Sequence, residues 1–233
     1  MTASSNLNNI LESLNSRIHN AAIKSGRSTD NITLVAVTKS FPKNIWEIAL
    51  NHNLTTIAES RIQETKEKLS TFKHRDKIEL HFIGRLQGNK AGKAGEMFDV
   101  IQTLDSIKLA KRLNTISAKK NKIQKTYLQV NTGNDPKKQG FTLEKIIDSA
   151  KEISAMDNIE LSGIMTIPPQ GISGIELRYL YKKTREIKDK IKGSINHACN
   201  NLSMGMSNDF EIAIEEGATH IRIGTALFGA RPL

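Results

Sequence analysis

A lysine follows an apolar, strand-like run near the start of this sequence. Residues 33–42 read TLVAVTKSFP, so Lys39 comes directly after a stretch suited to the interior of a sheet. An ammonium group is costly to remove from water. Lys39 either reaches out to solvent at the strand end or is a partly desolvated nucleophile that forms a Schiff base. Position alone favours the first interpretation, because most lysines lie at the surface.

Two strand ends near the carboxyl end of the chain have the composition of a phosphate site. In SMGMSNDFEIAIEEG, a strand ends at Met206 and Ser207 where a helix begins, which offers a hydroxyl and N–H groups to an anion. In HIRIGTALF, Gly224 permits close approach of the backbone and Thr225 adds a second hydroxyl. The alternative is that Ser207 only caps the helix.

Arg222 lies two residues before Gly224 and therefore shares its strand face. In a barrel this face points inward, where a guanidinium needs an anionic or acceptor partner. Two partners are consistent with the sequence of Arg222 and its neighbours: a bound anion, or a core carboxylate such as Glu59. With Lys39, these residue types suit an anionic ligand that reacts with an amine.

Several other kinds of functional site are excluded or disfavoured. The segment GRLQGNKAGK has neither the spacing nor the Ser/Thr of a phosphate-binding P-loop. The six histidines show no metal-ligand spacing, and His81 is expected to be a hydrogen-bonded core residue. The single cysteine, Cys199, excludes an internal disulfide.

The composition is that of a globular protein with a basic surplus. Among 233 residues, 34 Lys and Arg face 24 Asp and Glu, giving a net charge of +10. The basic residues are scattered and aromatic residues are only 5%, so we expect solvated surfaces rather than nucleic-acid binding. No apolar run reaches the length of a membrane span, and the first residues lack the pattern of a secretory signal. A cytoplasmic location is the resulting expectation.

The order of elements predicts the fold that positions these residues. Apolar residues at helical spacing over residues 7–22 indicate an N-terminal helix. Eight strand-like runs then follow, separated by helical segments, which implies parallel pairing. An open sheet and a closed barrel are both possible, and the count favours a (β/α)₈ barrel. We predict one α/β domain over residues 1–233, with its chemistry at the carboxyl ends of the strands.

Five segments of this chain together resemble the pyridoxal phosphate homeostasis protein family. They are LVAVTKSFP, HFIGRLQGNK, LQVNTGNDPKKQGF, LSGIMTIP and LSMGMSNDFEIAIEEGATHIRIGTALFGAR, in family order over nearly the whole chain. The resemblance implies a barrel like the N-terminal domain of alanine racemase that binds pyridoxal 5'-phosphate (PLP). It also implies a role in PLP storage and delivery to apo-enzymes, without catalytic turnover.

The resemblance also assigns roles to particular residues. Lys39 resembles the lysine that forms an aldimine with PLP, and Arg222 the arginine that faces the pyridine nitrogen. The remaining cofactor contacts implied are a phosphate cradle and a ring-pocket residue: Met206, Ser207, Gly224 and Thr225, and Asn131. One segment departs from the family pattern, because AESRIQE stands where relatives carry a sequence like GENYVQE, and this puts contacts of the replaced Asn and Tyr in doubt.

Three other functions stay open at this point. An amino-acid racemase needs an acid/base group opposite the lysine, yet the chain ends at GARPL directly after the barrel, so no second domain is expected to supply one. A phosphosugar aldolase would use the same lysine and cradle without PLP. Nucleic-acid binding would use the basic surface. We expect a non-catalytic PLP carrier that is a monomer.

Overall fold

The fold is a closed barrel of eight parallel strands in sequential order, with β1 paired to β8. The computed structural model describes residues 3–230, with side chains from residue 7 onwards. The strands are β1 Thr33–Val37, β2 Thr56–Glu59, β3 Glu79–Phe82, β4 Val100–Leu104, β5 Gln124–Val130, β6 Ile159–Thr166, β7 Asn201–Met206 and β8 His220–Ile223. The predicted (β/α)₈ barrel is confirmed, and the open sheet is wrong.

Helices connect the strands and form the outer layer. They are α1 Ala3–Lys24, α2 Ile45–Asn51, α3 Ile62–Leu69, α4 Ala91–Met97, α5 Ile107–Ala118, α6 Ile146–Ser154, α7 Gly174–Ser194, α8 Phe210–Glu215 and α9 Thr225–Phe228. The predicted N-terminal helix is α1, which packs on α8 and is tied to it by the Arg17–Glu211 and Lys24–Glu215 ion pairs. The part of GARPL from residue 231 onwards lies outside the described residues.

Side chains alternate along the strands between two cores. On β1, Ala36 joins the large core between barrel and helices, whereas Val35 and Val37 point into the barrel. Their neighbours inside the barrel are Ala58 and Ile83. These small and medium side chains leave space at the carboxyl ends of the strands, where the site lies.

Within residues 3–230, no helix is both long enough and apolar enough to cross a membrane.

Candidate functional site

The carboxyl ends of the strands surround a cavity of about 530 Å³. Six of the seven predicted cofactor residues line it: Lys39, Met206, Ser207, Arg222, Gly224 and Thr225. They meet because β8 pairs with both β1 and β7, which brings three strand ends together. The cavity also has an apolar side that includes Val37, Ile83 and Ile167.

Lys39 is carried by a fixed turn at the edge of this cavity. It follows β1 by two residues and is half-buried. The next residue, Ser40, has φ 65°, a left-handed conformation that non-glycine residues rarely adopt. The Ser40 N–H donates to Glu64 Oε1 at 2.5 Å, and the Thr38 carbonyl oxygen accepts from Lys68 Nζ at 2.7 Å. The backbone on both sides of Lys39 is therefore anchored.

Arg222 is a buried cation at the same cavity, with a side chain held by neutral groups. Its Nη1 donates to Ser203 Oγ and its Nη2 to the Thr166 carbonyl oxygen, both at 2.8 Å. Among the described residues, no carboxylate lies within ion-pair distance of it. Burial lowers the pKa of Arg222, because the charged form loses its hydration. The alternative of a salt bridge to Glu59 is wrong, since Glu59 pairs with Lys68 at 2.6 Å.

A chain of buried hydrogen bonds continues from Arg222 across the barrel interior. Ser203 Oγ donates to Gln102 Oε1 at 2.6 Å, and Gln102 Nε2 lies 2.6 Å from His81 Nδ1. Because the amide donates there, we assign the ring proton to Nε2, which donates to Glu79 Oε2 at 3.0 Å. Every group thus donates in the direction of Glu79. This order fixes the guanidinium of Arg222 without giving it a direct counter-ion.

A second pair of buried polar side chains lies beside this chain. Tyr127 Oη and His220 Nε2 are 3.3 Å apart, and the His81 and His220 rings stack at 5.9 Å. Burial is the main cause that lowers the pKa of His220 to about 4. At neutral pH the ring of His220 is therefore uncharged.

The loops after β7 and β8 form one wall of the cavity. The Ala226 N–H donates to Ser207 Oγ at 3.3 Å, which joins the two loops. The alternative that Ser207 only caps the following helix is wrong, because α8 begins at Phe210 with Asp209 at the cap position. At Gly224, an added Cβ would lie 3.2 Å from the Val37 carbonyl oxygen, so a glycine lets this loop pass close to β1.

Asn131 is the predicted site residue that the structure does not bring to the cavity lining. Its Nδ2 donates to the Asp135 carbonyl oxygen at 2.8 Å, and its Oδ1 accepts from the Asp135 N–H at 3.1 Å. These bonds shape the loop after β5. A contact between Asn131 and the cofactor ring stays a prediction.

Two features of the site were missed in the sequence. The loop 167–171, IPPQG, lines the cavity beyond the end of β6, and its two prolines and glycine after a strand were an available signal. Asp209 also lines the cavity, where its Oδ1 accepts from the Met206 N–H at 2.5 Å. Its place just before a predicted helix gives no sign in the sequence that Asp209 reaches the cavity.

Comparison with known proteins defines the class to which this barrel belongs. The sequence profile of the alanine racemase N-terminal domain matches residues 13–232. A solved alanine racemase from Clostridium difficile superposes with a TM-score of 0.72 at 15% identity, covering 98% of this chain and 57% of that one. The chain therefore has the fold of the racemase N-terminal domain.

More similar proteins define the family within that class. The chain is 36% identical over 231 residues to the pyridoxal phosphate homeostasis protein of Aquifex aeolicus, covering 99% of each. PipY of Synechococcus elongatus, in a structure with PLP bound, matches with a TM-score of 0.85 at 31% identity, covering 96% of this chain and 100% of that one. The chain belongs to the pyridoxal phosphate homeostasis protein family.

Proposed function

We propose that this protein binds PLP through Lys39 and serves in PLP homeostasis as a non-catalytic carrier. The main support for the proposal is that one cavity contains the amine of Lys39, the hydroxyls of Ser207 and Thr225, and the buried guanidinium of Arg222. Among the described residues, this guanidinium bonds to neutral acceptors and forms no ion pair. The family relatives named for PLP homeostasis, and the PLP bound to PipY, support the same ligand.

The donors in the cavity fit this ligand. When bound, PLP supplies an aldehyde that condenses with a primary amine, together with a dianionic phosphate. Lys39 supplies the amine, while Ser207, Gly224 and Thr225 supply hydroxyl and N–H donors on the wall between β7 and β8. The apolar side with Val37 suits the face of an aromatic ring.

Arg222 supports storage rather than turnover. A guanidinium has only donors and keeps its proton, so it favours an unprotonated acceptor opposite it. PLP catalysis of transamination or decarboxylation exploits a protonated ring nitrogen as an electron sink. If Arg222 faces the ring nitrogen, as the family resemblance implies, it disfavours that protonation. Transamination and decarboxylation are then weakened.

The tyrosines do not supply the acid/base group that a racemase needs opposite the lysine. None of the three lines the cavity of the described chain. Tyr127 is in the middle of β5 and faces His220, Tyr181 is buried on α7, and Tyr179 is exposed. Racemisation is therefore not favoured, and the likeness to alanine racemase is one of fold.

We further propose a cytoplasmic monomer that passes PLP to apo-enzymes and does not bind nucleic acid. Basic side chains are spread over the surface, and several are paired with carboxylates. Examples are Arg17 with Glu211, Lys111 with Glu152, and Lys120 with Glu96. Such pairing reduces the positive field that a phosphate backbone would require.

The absorbance spectrum of the protein with added PLP tests the proposal. We expect an imine band in the wild type and in Lys43→Ala, which removes an exposed lysine four residues further on, and no band in Lys39→Ala. We also expect no racemase or lyase turnover of amino acids by the PLP-loaded protein. A protein that takes up no PLP would favour the aldolase interpretation. Turnover that disappears in Lys39→Ala would contradict the carrier.

A further inference from the structure

Both peptide groups that flank Lys39 are held by one group of charged side chains, two of which are buried. This group consists of Glu59, Glu64 and Lys68 and is called the Lys68 cluster. Lys68 Nζ donates to the carbonyl oxygen of Thr38 at 2.7 Å, on the amino side of Lys39. Glu64 Oε1 accepts from the N–H of Ser40 at 2.5 Å, on the carboxyl side.

The Lys68 ammonium group uses its full hydrogen-bonding capacity in this cluster. Besides Thr38, its Nζ contacts Glu59 Oε1 at 2.6 Å and Glu64 Oε1 at 2.8 Å, which accounts for all three donors. The side chain is 1% exposed, and that of Glu59 is 0% exposed. Trp46 Nε1 donates to Glu59 Oε1 at 3.2 Å and ties the cluster to α2. The three bonds of Lys68 hold this arrangement, although Glu59 Oε2 has no hydrogen-bond partner in the described chain and the Glu64 side chain is 19% exposed.

The turn that the cluster holds is strained. Ser40 has φ 65°, a conformation that costs free energy for a residue with a Cβ and persists where surrounding contacts fix it. The hydrogen bond to Glu64 is made by the N–H of this residue. The direction of the Cα–Cβ bond of Lys39 follows from the peptide planes on its two sides, because these set its φ and ψ.

We propose that Lys68 and Glu64 are positioning residues that aim the amine of Lys39 into the cavity. They act through the backbone of Thr38 and Ser40, not through contact with the ligand. The proposal rests on the proposed function, since it assumes that Lys39 is the residue that bonds to PLP. If the turn is loosened, the bond between Lys39 and PLP should form more slowly. The loops after β7 and β8 should still bind the phosphate with unchanged affinity.

Two ligands separate positioning of Lys39 from general damage to the cavity. PLP requires a correctly placed amine, whereas pyridoxamine 5'-phosphate has the same ring and phosphate but no aldehyde, so it binds without a covalent bond. In Glu64→Ala we expect the rate of covalent PLP attachment to fall by at least about tenfold, since small misplacements of a reacting group are costly. The dissociation constant for pyridoxamine 5'-phosphate should change by less than about twofold, because the cradle is intact. Glu67→Ala is the matched control, because Glu67 is exposed on the same helix and its carboxylate accepts from the Gln63 side chain.

Ser40→Gly should restore PLP attachment in Glu64→Ala if Glu64 acts by holding the strained turn. A general loss of stability in Glu64→Ala would not be rescued in this way. Ser40→Gly removes the Cβ that makes the left-handed conformation costly. In the Glu64→Ala background, it should therefore restore at least part of the attachment rate. Glu64→Gln is the second variant if Glu64→Ala does not fold by circular dichroism, and it too should reduce the attachment rate, because a neutral amide holds Lys68 and the Ser40 N–H less strongly than a carboxylate does.

Three outcomes would overturn the proposal. They are a wild-type attachment rate in a folded Glu64 variant, equal loss of affinity for both ligands, and no rescue by Ser40→Gly. A wild-type protein that attaches no PLP would instead overturn the proposed function, and this proposal with it. The wild-type measurement thus distinguishes the two failures.

Discussion

Lys68 and Arg222 are both buried cations near the cavity, but they are stabilised in opposite ways. Lys68 is 1% exposed and lies within 2.8 Å of two carboxylates, those of Glu59 and Glu64. Arg222 is 4% exposed and is bonded to a hydroxyl and a carbonyl oxygen. The first cation has its counter-ions within the protein. The second has only these neutral acceptors within hydrogen-bond distance in the described chain.

A buried cation can therefore serve two purposes in the same molecule. A buried charge that is paired and fully hydrogen-bonded holds structure and offers little to a ligand. A buried charge held only by neutral acceptors gains when an acceptor or anion enters beside it. We therefore propose that Lys68 supports Lys39 and that Arg222 contacts the ligand.

The largest effect is expected from breaking the paired cation. Lys68→Met should lower the free energy of unfolding by about 3–5 kcal/mol, because two carboxylates lose their buried partner. Urea unfolding followed by circular dichroism measures this. Adding Glu59→Gln should recover part of the loss by removing one unpaired charge. A loss below about 1 kcal/mol in Lys68→Met would mean that the pair contributes little.

Acid should create a further buried cation at His220. Burial lowers its pKa to about 4 from the usual 6.5, so the unfolded chain takes up a proton at a higher pH than the native state does. The resulting stability is present above pH 6.5 and is lost as the pH falls towards 4, on the order of 3 kcal/mol in all. Unfolding by urea at several pH values should show a weaker pH dependence in His220→Gln. The same dependence in both proteins would contradict this account of His220.

Replacing the unpaired cation should affect binding more than folding. In Arg222→Met, PLP affinity should fall roughly ten- to a hundredfold, since hydrogen bonds to charged groups contribute about 1.5–3 kcal/mol. The free energy of unfolding without ligand should change by less than about 1.5 kcal/mol, because removal of a buried charge relieves its desolvation cost and so offsets the two hydrogen bonds that are lost. Equilibrium titration and urea unfolding measure the two quantities. If unfolding changed as in Lys68→Met while affinity stayed the same, the two cations would not differ as proposed.

The smallest change in the free energy of unfolding is expected at an exposed ion pair. Lys111 and Glu152 lie 2.8 Å apart, with side chains 64% and 48% exposed. Lys111→Met should change the free energy of unfolding by less than about 1 kcal/mol, because water screens such pairs. The effect should shrink further at high salt. A change as large as that of Lys68→Met would show that burial does not decide the strength of these pairs.

The fold and much of the cavity lining could be predicted from the sequence because both follow local rules. Eight strand-like runs separated by helices define the barrel, and the residues that follow those runs lie at one end of it. Lys39 and Thr225 could be predicted in this way. Asn131 obeys the same rule, yet it bonds to the loop that follows β5, a choice that depends on the shape of that loop.

The supporting contacts could not be predicted, because they join distant parts of the chain. Lys66 and Lys68 look alike in a short amphipathic helix, and only the position of Glu59 on β2 makes one of them buried. Ser203 and Gln102 are 101 residues apart, and their contact depends on where two strands point inside the barrel. Periodicity gives the face of an element but not its partner.

The most direct test is to identify which lysine bonds to PLP. The protein is loaded with PLP, treated with sodium borohydride to make the carbon–nitrogen bond permanent, digested, and analysed by mass spectrometry. At one equivalent of PLP, we expect the added mass on Lys39 and on no other lysine. Modification of Lys68 or of surface lysines in place of Lys39 would contradict it.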